Sequence, residues 1–331
     1  MFGKLYAVAA NAFVETIRQP IYGVLLWAAA GLLMLAPATA AFSLESGGDT
    51  KVLQEVGLAT LLLYALLASV FSATGVITRE ISDQTVLTVV SKPVSRPLFL
   101  TGKYLGVTGA VLAGYFFLSV VLFMAVRHGA METAATPYDQ PVLVFGGLAL
   151  LISLIAAAFG NYTYGWHFSS TLMAWVVPLG TLALLGALGL GKDWSPQSIT
   201  KDFGDLKLVY ATALTFCGVL VLTALAVALS TRFSQVVTLM LCVGVYLVGL
   251  LSDFWFGERS RLVAETTDTG LLFDALYRAV PNFQFFWAAS AITQELPIPG
   301  SQVAQVAVYA LLYAAGILGL GVALFETREV G

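Results

Sequence analysis

The sequence contains little charge. Of its 331 residues, 11% are charged and 59% are hydrophobic, and the mean hydropathy is +0.87. A soluble domain usually has about 25% charged residues, so this chain lacks the polar side chains that would cover a surface facing water. An ordinary soluble fold is thereby excluded, and a lipid bilayer must supply part of the solvent. The formal net charge of -3 and the lack of a basic run also argue against nucleic acid as a partner.

Histidine and cysteine are equally scarce. In the topology that the apolar runs predict, the two histidines, His128 and His167, fall on opposite sides of the membrane. The two cysteines, Cys217 and Cys242, lie in apolar stretches. No group of these residues has the spacing of a metal site, and the sequence has neither a nucleophile elbow nor an ATPase motif. We therefore predict no catalytic residue, no metal and no cofactor on this chain, and we do not expect it to be an enzyme by itself.

What the sequence does contain is a series of long apolar runs. A helix that crosses a bilayer needs roughly 20 mostly apolar residues. Eight runs meet or approach this length: 21–42, 56–77, 105–126, 141–160, 171–191, 208–230, 236–252 and 302–325. We predict an all-α polytopic membrane protein with a single transmembrane domain over residues 1–331. The fourth and fifth runs also fit a re-entrant hairpin or one broken helix, because only ten weakly polar residues separate them.

The eight runs contain no Asp, Glu, Lys, Arg or His. Carriers coupled to protons or ions generally keep ionisable groups within the membrane, where the coupling ion binds and leaves. Some sodium sites use only carbonyl and hydroxyl oxygens, so this absence disfavours ion coupling without excluding it. A channel is also disfavoured, because no charge ring or filter sequence is visible. The energy source for any transport is expected on another polypeptide.

Positive charge in the short loops predicts the orientation. Four of the Lys and Arg residues lie in the single short loop 78–104, whereas three others lie in the long loop 253–301. Cytoplasmic loops are enriched in Lys and Arg, and long loops carry less weight in this rule. We therefore predict a multi-pass protein of the cytoplasmic (inner) membrane with both termini in the cytoplasm.

Two segments outside the runs show helical periodicity. In residues 1–19, Leu5, Phe13 and Ile17 share one face, which fits either an amphipathic interfacial helix or a cytoplasmic extension of the first span. The extracytoplasmic loop 253–301 has apolar residues at helical spacing, followed by a cluster of aromatic residues. This second pattern fits short helices that dip into the interface, and it equally fits aromatic side chains packed onto the bundle.

The loop between the second and third runs is the most charged short loop. A helix over residues 79–91 would place Glu80 and Asp83 on one face and would pair Arg79 with Asp83 at a spacing of four. Pro93 would end this helix, and Pro97 would keep the preceding residue extended. The sequence therefore predicts an exposed amphipathic element close to the bilayer.

Several short stretches match a known pattern. They are Glu80-Ile81, Thr85, residues 91–96, Phe99-Leu100, residues 102–106, residues 228–234, Gly249, Ser252-Asp253 and residues 281–283. On these residues the chain resembles the ABC-2 type transporter permeases, and the stretch from Lys92 to Arg96 is the most specific. The resemblance covers most of the chain, but members of this kind usually have six spans, and the excess here lies near residues 141–207.

The resemblance implies a type V exporter-like bundle that works with a separate ABC ATPase subunit. ATP and magnesium would bind to that ATPase, and the chain would pair with an identical or a paralogous permease in the lipid bilayer. The ATPase-coupling residues would be Arg79, Glu80, Asp83, Thr85, Lys92 and Arg96. The sequence indicates no substrate-binding residue. A non-transporting membrane subunit that anchors or assembles a larger complex is the alternative function.

Overall fold

Helices dominate the fold. The computed structural model describes residues 2–39, 48–82, 95–131, 137–257 and 268–326, and within these ranges the chain forms no strand longer than an isolated bridge. The helices of these ranges are α1 Phe2–Arg18, α2 Pro20–Thr39, α3 Gly48–Ser82, α4 Arg96–His128, α5 Gln140–Tyr164, α6 Phe168–Leu188, α7 Lys207–Ser230, α8 Gln235–Leu250, α9 Asp268–Ala279, α10 Ala289–Thr293 and α11 Gly300–Glu326. A π-helical turn at Asp253–Gly257 and a 3-10 turn at Phe283–Phe286 complete the described elements.

Seven of these helices are long and apolar enough to cross a membrane, namely α2, α3, α4, α5, α6, α7 and α11. The chain is therefore a helical, multi-pass membrane protein. The eighth predicted span corresponds to α8, which has 16 residues and a length of about 24 Å. The hydrocarbon core of a bilayer is about 30 Å thick, so α8 alone is shorter than a full span.

An aromatic turn extends the packing beyond the short α8. The side-chain amide of Gln284 donates a hydrogen bond of 2.7 Å to the Leu250 carbonyl at the end of α8. Phe286 packs against Gly218, where an added Cβ would lie 3.0 Å from the Phe286 Cβ. Because Gly218 is eleven residues into α7, this contact lies about 16 Å below the start of that helix. The aromatic segment is thus inserted into the bundle and packed onto it.

The helices α5 and α6, which cover the fourth and fifth apolar runs, are both as long as a membrane span. The hairpin turn between α5 and α6 is formed by Gly165 in the left-handed conformation (φ 67°), and the side chain of Asn161 donates to the Trp166 carbonyl over 2.6 Å. α5 has 25 residues and α6 has 21. Each helix is therefore long and apolar enough to cross the bilayer by itself.

The centre of the bundle is formed by α3, α4 and α7, which bury most of their length, whereas α5 and α11 expose most of theirs. Buried hydroxyl groups join the central helices, because each one needs a hydrogen-bond partner away from water. Ser69 Oγ of α3 lies 2.7 Å from Thr223 Oγ1 of α7. Tyrosine hydroxyls that contact α4 or α7 donate to carbonyls of neighbouring helices: Tyr22 to Ala110 (2.8 Å), Tyr104 to Leu220 (3.3 Å) and Tyr115 to Thr212 (2.8 Å).

The chain alternates between two ends of the bundle. We call the end at which α3 finishes and α4 begins the loop end; α7 and α11 also finish there. We call the opposite end, where α2, α4 and α6 finish, the far end. His167 lies at the loop end and His128 at the far end.

The N-terminal helix α1 is separate from the first span, because the chain leaves the helical conformation at Gln19 before α2 begins at Pro20. α1 packs along the first turns of α4, where glycine allows close approach. An added Cβ on Gly106 would lie 2.3 Å from the Ala9 carbonyl oxygen and 2.5 Å from the Ala12 Cβ. The amphipathic face of α1 therefore rests on α4.

We predict that Gly106→Ala loosens α1 from α4. The added methyl group meets backbone atoms that cannot move aside, and overpacking of this kind costs about 1–3 kcal/mol, which exceeds the helix-propensity gain of about 1 kcal/mol. Thermal unfolding of the purified protein in detergent measures the effect. Gly244→Ala on α8 is the control, because its Cβ would meet nothing within 4 Å, and it should not lower the melting temperature. Equal melting temperatures for both variants would contradict the prediction.

Candidate functional site

The predicted ATPase-coupling residues fall at the loop end. Asp83, Thr85 and Lys92 lie outside the described residues, as do the side chains of Arg79 and Glu80, whose backbone continues α3. Only Arg96 is described in full. The structure nevertheless describes what holds the two ends of the loop. We call the ends of α3, α7 and α11 and the start of α4 the loop base.

Arg96 joins the start of α4 to the end of α11. Its Nη1 atom donates hydrogen bonds of 2.7 Å to the Phe325 and Glu326 carbonyls. Its guanidinium carbon lies 5.4 Å from the centroid of the Phe325 ring, and this ring stacks on Phe99. A cation at a helix C-terminus is favourable, because the last carbonyls have no partner within the helix and carry partial negative charge.

A second arginine binds the same helix end. Arg232, which follows the last turn of α7, donates from Nε (2.9 Å) and from Nη2 (2.6 Å) to the Leu324 carbonyl. In the sequence, Arg232 belongs to the stretch 228–234 that carries the family resemblance, and no role is predicted for it. Its position just after one span, like that of Arg96 just before another, could have indicated a helix-capping role. The ends of α4, α7 and α11 are thus held together by two arginines.

Lys103 is a buried cation about two turns after Arg96 on α4. Its side chain is 2% exposed and its Nζ lies 3.7 Å from Glu15 Oε2 on α1. The same atom lies 5.5 Å from the centroid of the Phe99 ring. The sequence analysis placed Lys103 in a cytoplasmic loop; the structure places it inside α4, covered by α1. A buried ammonium group needs such partners, since an uncompensated charge away from water is costly.

Arg127 forms a buried ionic cluster at the far end. Its Nε lies 3.3 Å from Asp139 Oδ2 and 3.3 Å from Asp202 Oδ2, and the side chains of Arg127 and Asp139 are 3% and 0% exposed. Arg127 Nη2 also donates to the Leu190 carbonyl. Asp139 caps α5 by accepting from the Val142 N–H over 3.2 Å. The cluster joins the end of α4 to the start of α5 and to the connection between α6 and α7.

Weaker polar contacts surround this cluster. Lys51 Nζ lies 3.0 Å from Glu295 Oε1, and the hydrogen bond from Lys51 holds the pKa of the Glu295 carboxyl below its usual range. The hydroxyl of Ser195 similarly lowers the pKa of Asp193. Both carboxyl groups are exposed, so we assign these contacts a small contribution to stability.

The described residues of the loop base supply contacts between helices. Among the residues that the structure describes, no three His, Cys, Asp or Glu side chains come together as metal ligands. A displacement of the loop 83–94 would act directly on α3 and α4, and through Arg96 and Arg232 on α7 and α11.

Comparison with known proteins does not identify a family. No family model matches the sequence, and no curated protein matches it.

We predict that Asp139→Asn destabilises the protein by about 3 kcal/mol, because among the described residues it leaves the buried Arg127 with the partly exposed Asp202 as its anionic partner. Asparagine keeps an oxygen that can cap α5, so the loss reports on the charge. The measurement is thermal or denaturant unfolding in detergent. Asp205→Asn is the control; the Asp205 side chain is 62% exposed beside Lys207, and its loss should cost less than about 1 kcal/mol. A similar small effect at Asp139 would contradict this account of the cluster.

We predict that Arg96→Gln increases fraying of the last turn of α11. The variant loses two charge-assisted hydrogen bonds, and bonds of this kind contribute about 1.5–3 kcal/mol each, so amide exchange in that turn should become at least about tenfold faster. Hydrogen–deuterium exchange with mass spectrometry of peptides covering Leu320 to Phe325 measures the change. Arg278→Gln, which removes a 77% exposed side chain paired with Asp274, should leave this exchange unaffected. Unchanged exchange in Arg96→Gln would mean that the bonds do not hold the helix end.

Proposed function

We propose that the chain is the permease subunit of an ABC-2 type exporter, with ATP hydrolysed by a separate ABC ATPase. The observation that carries the proposal is the loop base. The segment proposed to bind the ATPase connects α3 to α4, two central helices, and Arg96 and Arg232 link its return to the ends of α7 and α11. A force on this segment would therefore reach four helices.

The lengths of α3 and α4 support the same proposal. They have 35 and 33 residues, which correspond to about 52 and 50 Å. The hydrocarbon core is about 30 Å thick, so both helices extend well beyond it. Long helices of this kind would transmit a displacement of the loop into the bundle.

The distribution of charge supports an energy source outside the chain. On α4, Lys103 and Arg127 are separated by 24 residues, or about 36 Å, and no ionisable residue other than tyrosine lies between them. Their spacing exceeds the hydrocarbon thickness, so both lie near the membrane borders. Proton- or ion-coupled carriers usually need an ionisable group deep in the membrane, and α4 offers none there.

In the proposed mechanism, two permeases face each other in the cytoplasmic membrane, with the loop end and both termini in the cytoplasm. Each carries one ATPase, which holds ATP and magnesium. Closure of the two ATPases would move the loops 83–94 and tilt the bundles between inward-facing and outward-facing states.

The experiment is co-purification of the tagged, full-length chain with an ATPase from the cells that make it. We predict that the wild type recovers an ATP-hydrolysing protein, identified by mass spectrometry. Glu80→Arg combined with Asp83→Arg should abolish this recovery, because two charge reversals on one helical face oppose docking. Asp193→Arg combined with Asp205→Arg makes the same charge change at the far end and should preserve it.

Two outcomes would contradict the proposal. If the wild-type chain recovers no ATPase, the proposed function is wrong, and the alternative of a membrane anchor in a larger complex is favoured by whatever proteins are recovered. If the ATPase is recovered equally with both double variants, the assignment of its binding site to the loop 78–104 is wrong.

A further inference from the structure

A cavity of about 410 Å³ lies between α2, α4, α5 and α6. Two of its lining residues, His128 and Tyr138, lie together at the far end, with their ring centroids 6.0 Å apart. Every other lining residue within the described ranges is apolar or glycine. Ligand pockets in proteins commonly measure about 300–1,000 Å³ and combine apolar walls with a few polar groups, so this cavity has the size and lining of a binding site for an apolar group.

The depth of the cavity matches one leaflet of a bilayer. Along α4 its wall runs from Phe117 to His128, a rise of about 16 Å for eleven residues. The hydrocarbon core is about 30 Å thick, so the cavity reaches from the far-end border of the membrane to its middle. A hydrocarbon chain of a lipid in that leaflet has the same extent.

The cavity opens sideways toward the bilayer. Met34 of α2 and Leu143 of α5 both line it, and they are 52% and 53% exposed. The opening therefore lies between these two helices, on the surface that faces lipid. A chain could enter from the bilayer without leaving the hydrocarbon.

Two glycines keep the cavity open without being required for helix contact. A Cβ on Gly146 of α5 would lie 3.5 Å from the Met124 sulfur, and a Cβ on Gly180 of α6 would lie 3.8 Å from Val120. These are ordinary contact distances, unlike those at Gly106, where a Cβ would clash with backbone. Larger side chains at Gly146 and Gly180 would therefore fill the cavity without forcing the helices apart.

We propose that this cavity binds one hydrocarbon chain of a membrane phospholipid from the far-end leaflet. The headgroup phosphate would lie at the mouth, where His128 and Lys192 are found; Lys192 Nζ donates to the His128 carbonyl over 3.1 Å. The lipid supplies the van der Waals partners that the apolar walls lack when the space is empty. The inference does not depend on the proposed function, because it rests on residues far from the loop base.

The test uses a phospholipid with a photoreactive diazirine in the distal half of one acyl chain. The full-length protein is reconstituted into vesicles of phosphatidylethanolamine and phosphatidylglycerol that contain this probe, illuminated, and mapped by peptide mass spectrometry. We expect labelling at cavity residues such as Phe117, Met124 and Leu150 to exceed labelling at Leu312, which is 68% exposed on α11, by about tenfold.

Filling the cavity should remove this excess. Gly146→Leu combined with Gly180→Leu should reduce labelling of the cavity residues about tenfold, because the added side chains exclude several methylene groups of the chain. Gly244→Leu on α8, where an added Cβ meets nothing within 4 Å, should leave the labelling unchanged. If the double variant does not fold, Gly147→Leu replaces it, since its Cβ also meets nothing within 4 Å.

The proposal is overturned if the wild type shows equal labelling of the cavity residues and of Leu312. It is also overturned if a folded, filled variant is labelled like the wild type. Recovery of an ATPase by the same variants reports separately on the proposed function, since the filled cavity does not touch the loop base.

Discussion

The stability of α4 depends on the pairing of two buried cations, and most other helices of the bundle pack against α4. Lys103 and Arg127 are almost fully buried near its two ends, and each needs anionic partners because an unpaired charge away from water is unstable. Those partners come from other parts of the chain: Glu15 on α1, Asp139 before α5 and Asp202 before α7. α1, α2, α3, α5, α6, α7 and α11 all contact α4. Satisfying the two charges therefore ties α1 to one end of α4, and the start of α5 and the connection before α7 to the other.

The membrane-spanning helices could be predicted from the sequence, because the cost of placing polar groups in hydrocarbon forces each span to be long and apolar. That rule depends only on local composition. At the run 236–252 the helix α8 has only 16 residues, and the turn Phe283–Phe286 lies beside its end. The hydrogen bond between Gln284 and Leu250 joins segments more than 30 residues apart. Periodicity within either segment does not indicate this contact. The burial of Arg127 has no local signal either, because one of its two partners, Asp202, is 75 residues away in the sequence.

The candidate site was predicted less completely than the spans. The charge pattern and the resemblance drew attention to the loop 78–104, and the structure shows Arg96 bonded to the carbonyls of Phe325 and Glu326, 229 and 230 residues away. This contact makes Arg96 part of the support of the loop, and a role in binding an ATPase stays a prediction for it. Arg79, Glu80, Asp83, Thr85 and Lys92 likewise stay predictions, because their side chains lie outside the described residues. Glycine spacing at Gly102 and Gly106 was a usable signal for the α1 contact, although it did not identify α1 as the partner.

The two ends of the bundle differ in the free energy needed to separate their helices. At the loop end, arginines hold helix-terminal carbonyls through hydrogen bonds that are mostly exposed, so water can take the place of either partner when the helix ends separate. At the far end, separating Arg127 from Asp139 would leave a buried charge at a cost of about 3–5 kcal/mol. In the proposed transport cycle, the loop end is therefore the part that rearranges, and the far end acts as the pivot about which the helices tilt. The apolar cavity lies beside α4 next to that pivot. A tilt that keeps the Arg127 cluster intact would change the width of the cavity mainly at its deep end, near Phe117, and so would alter how far a lipid chain can enter.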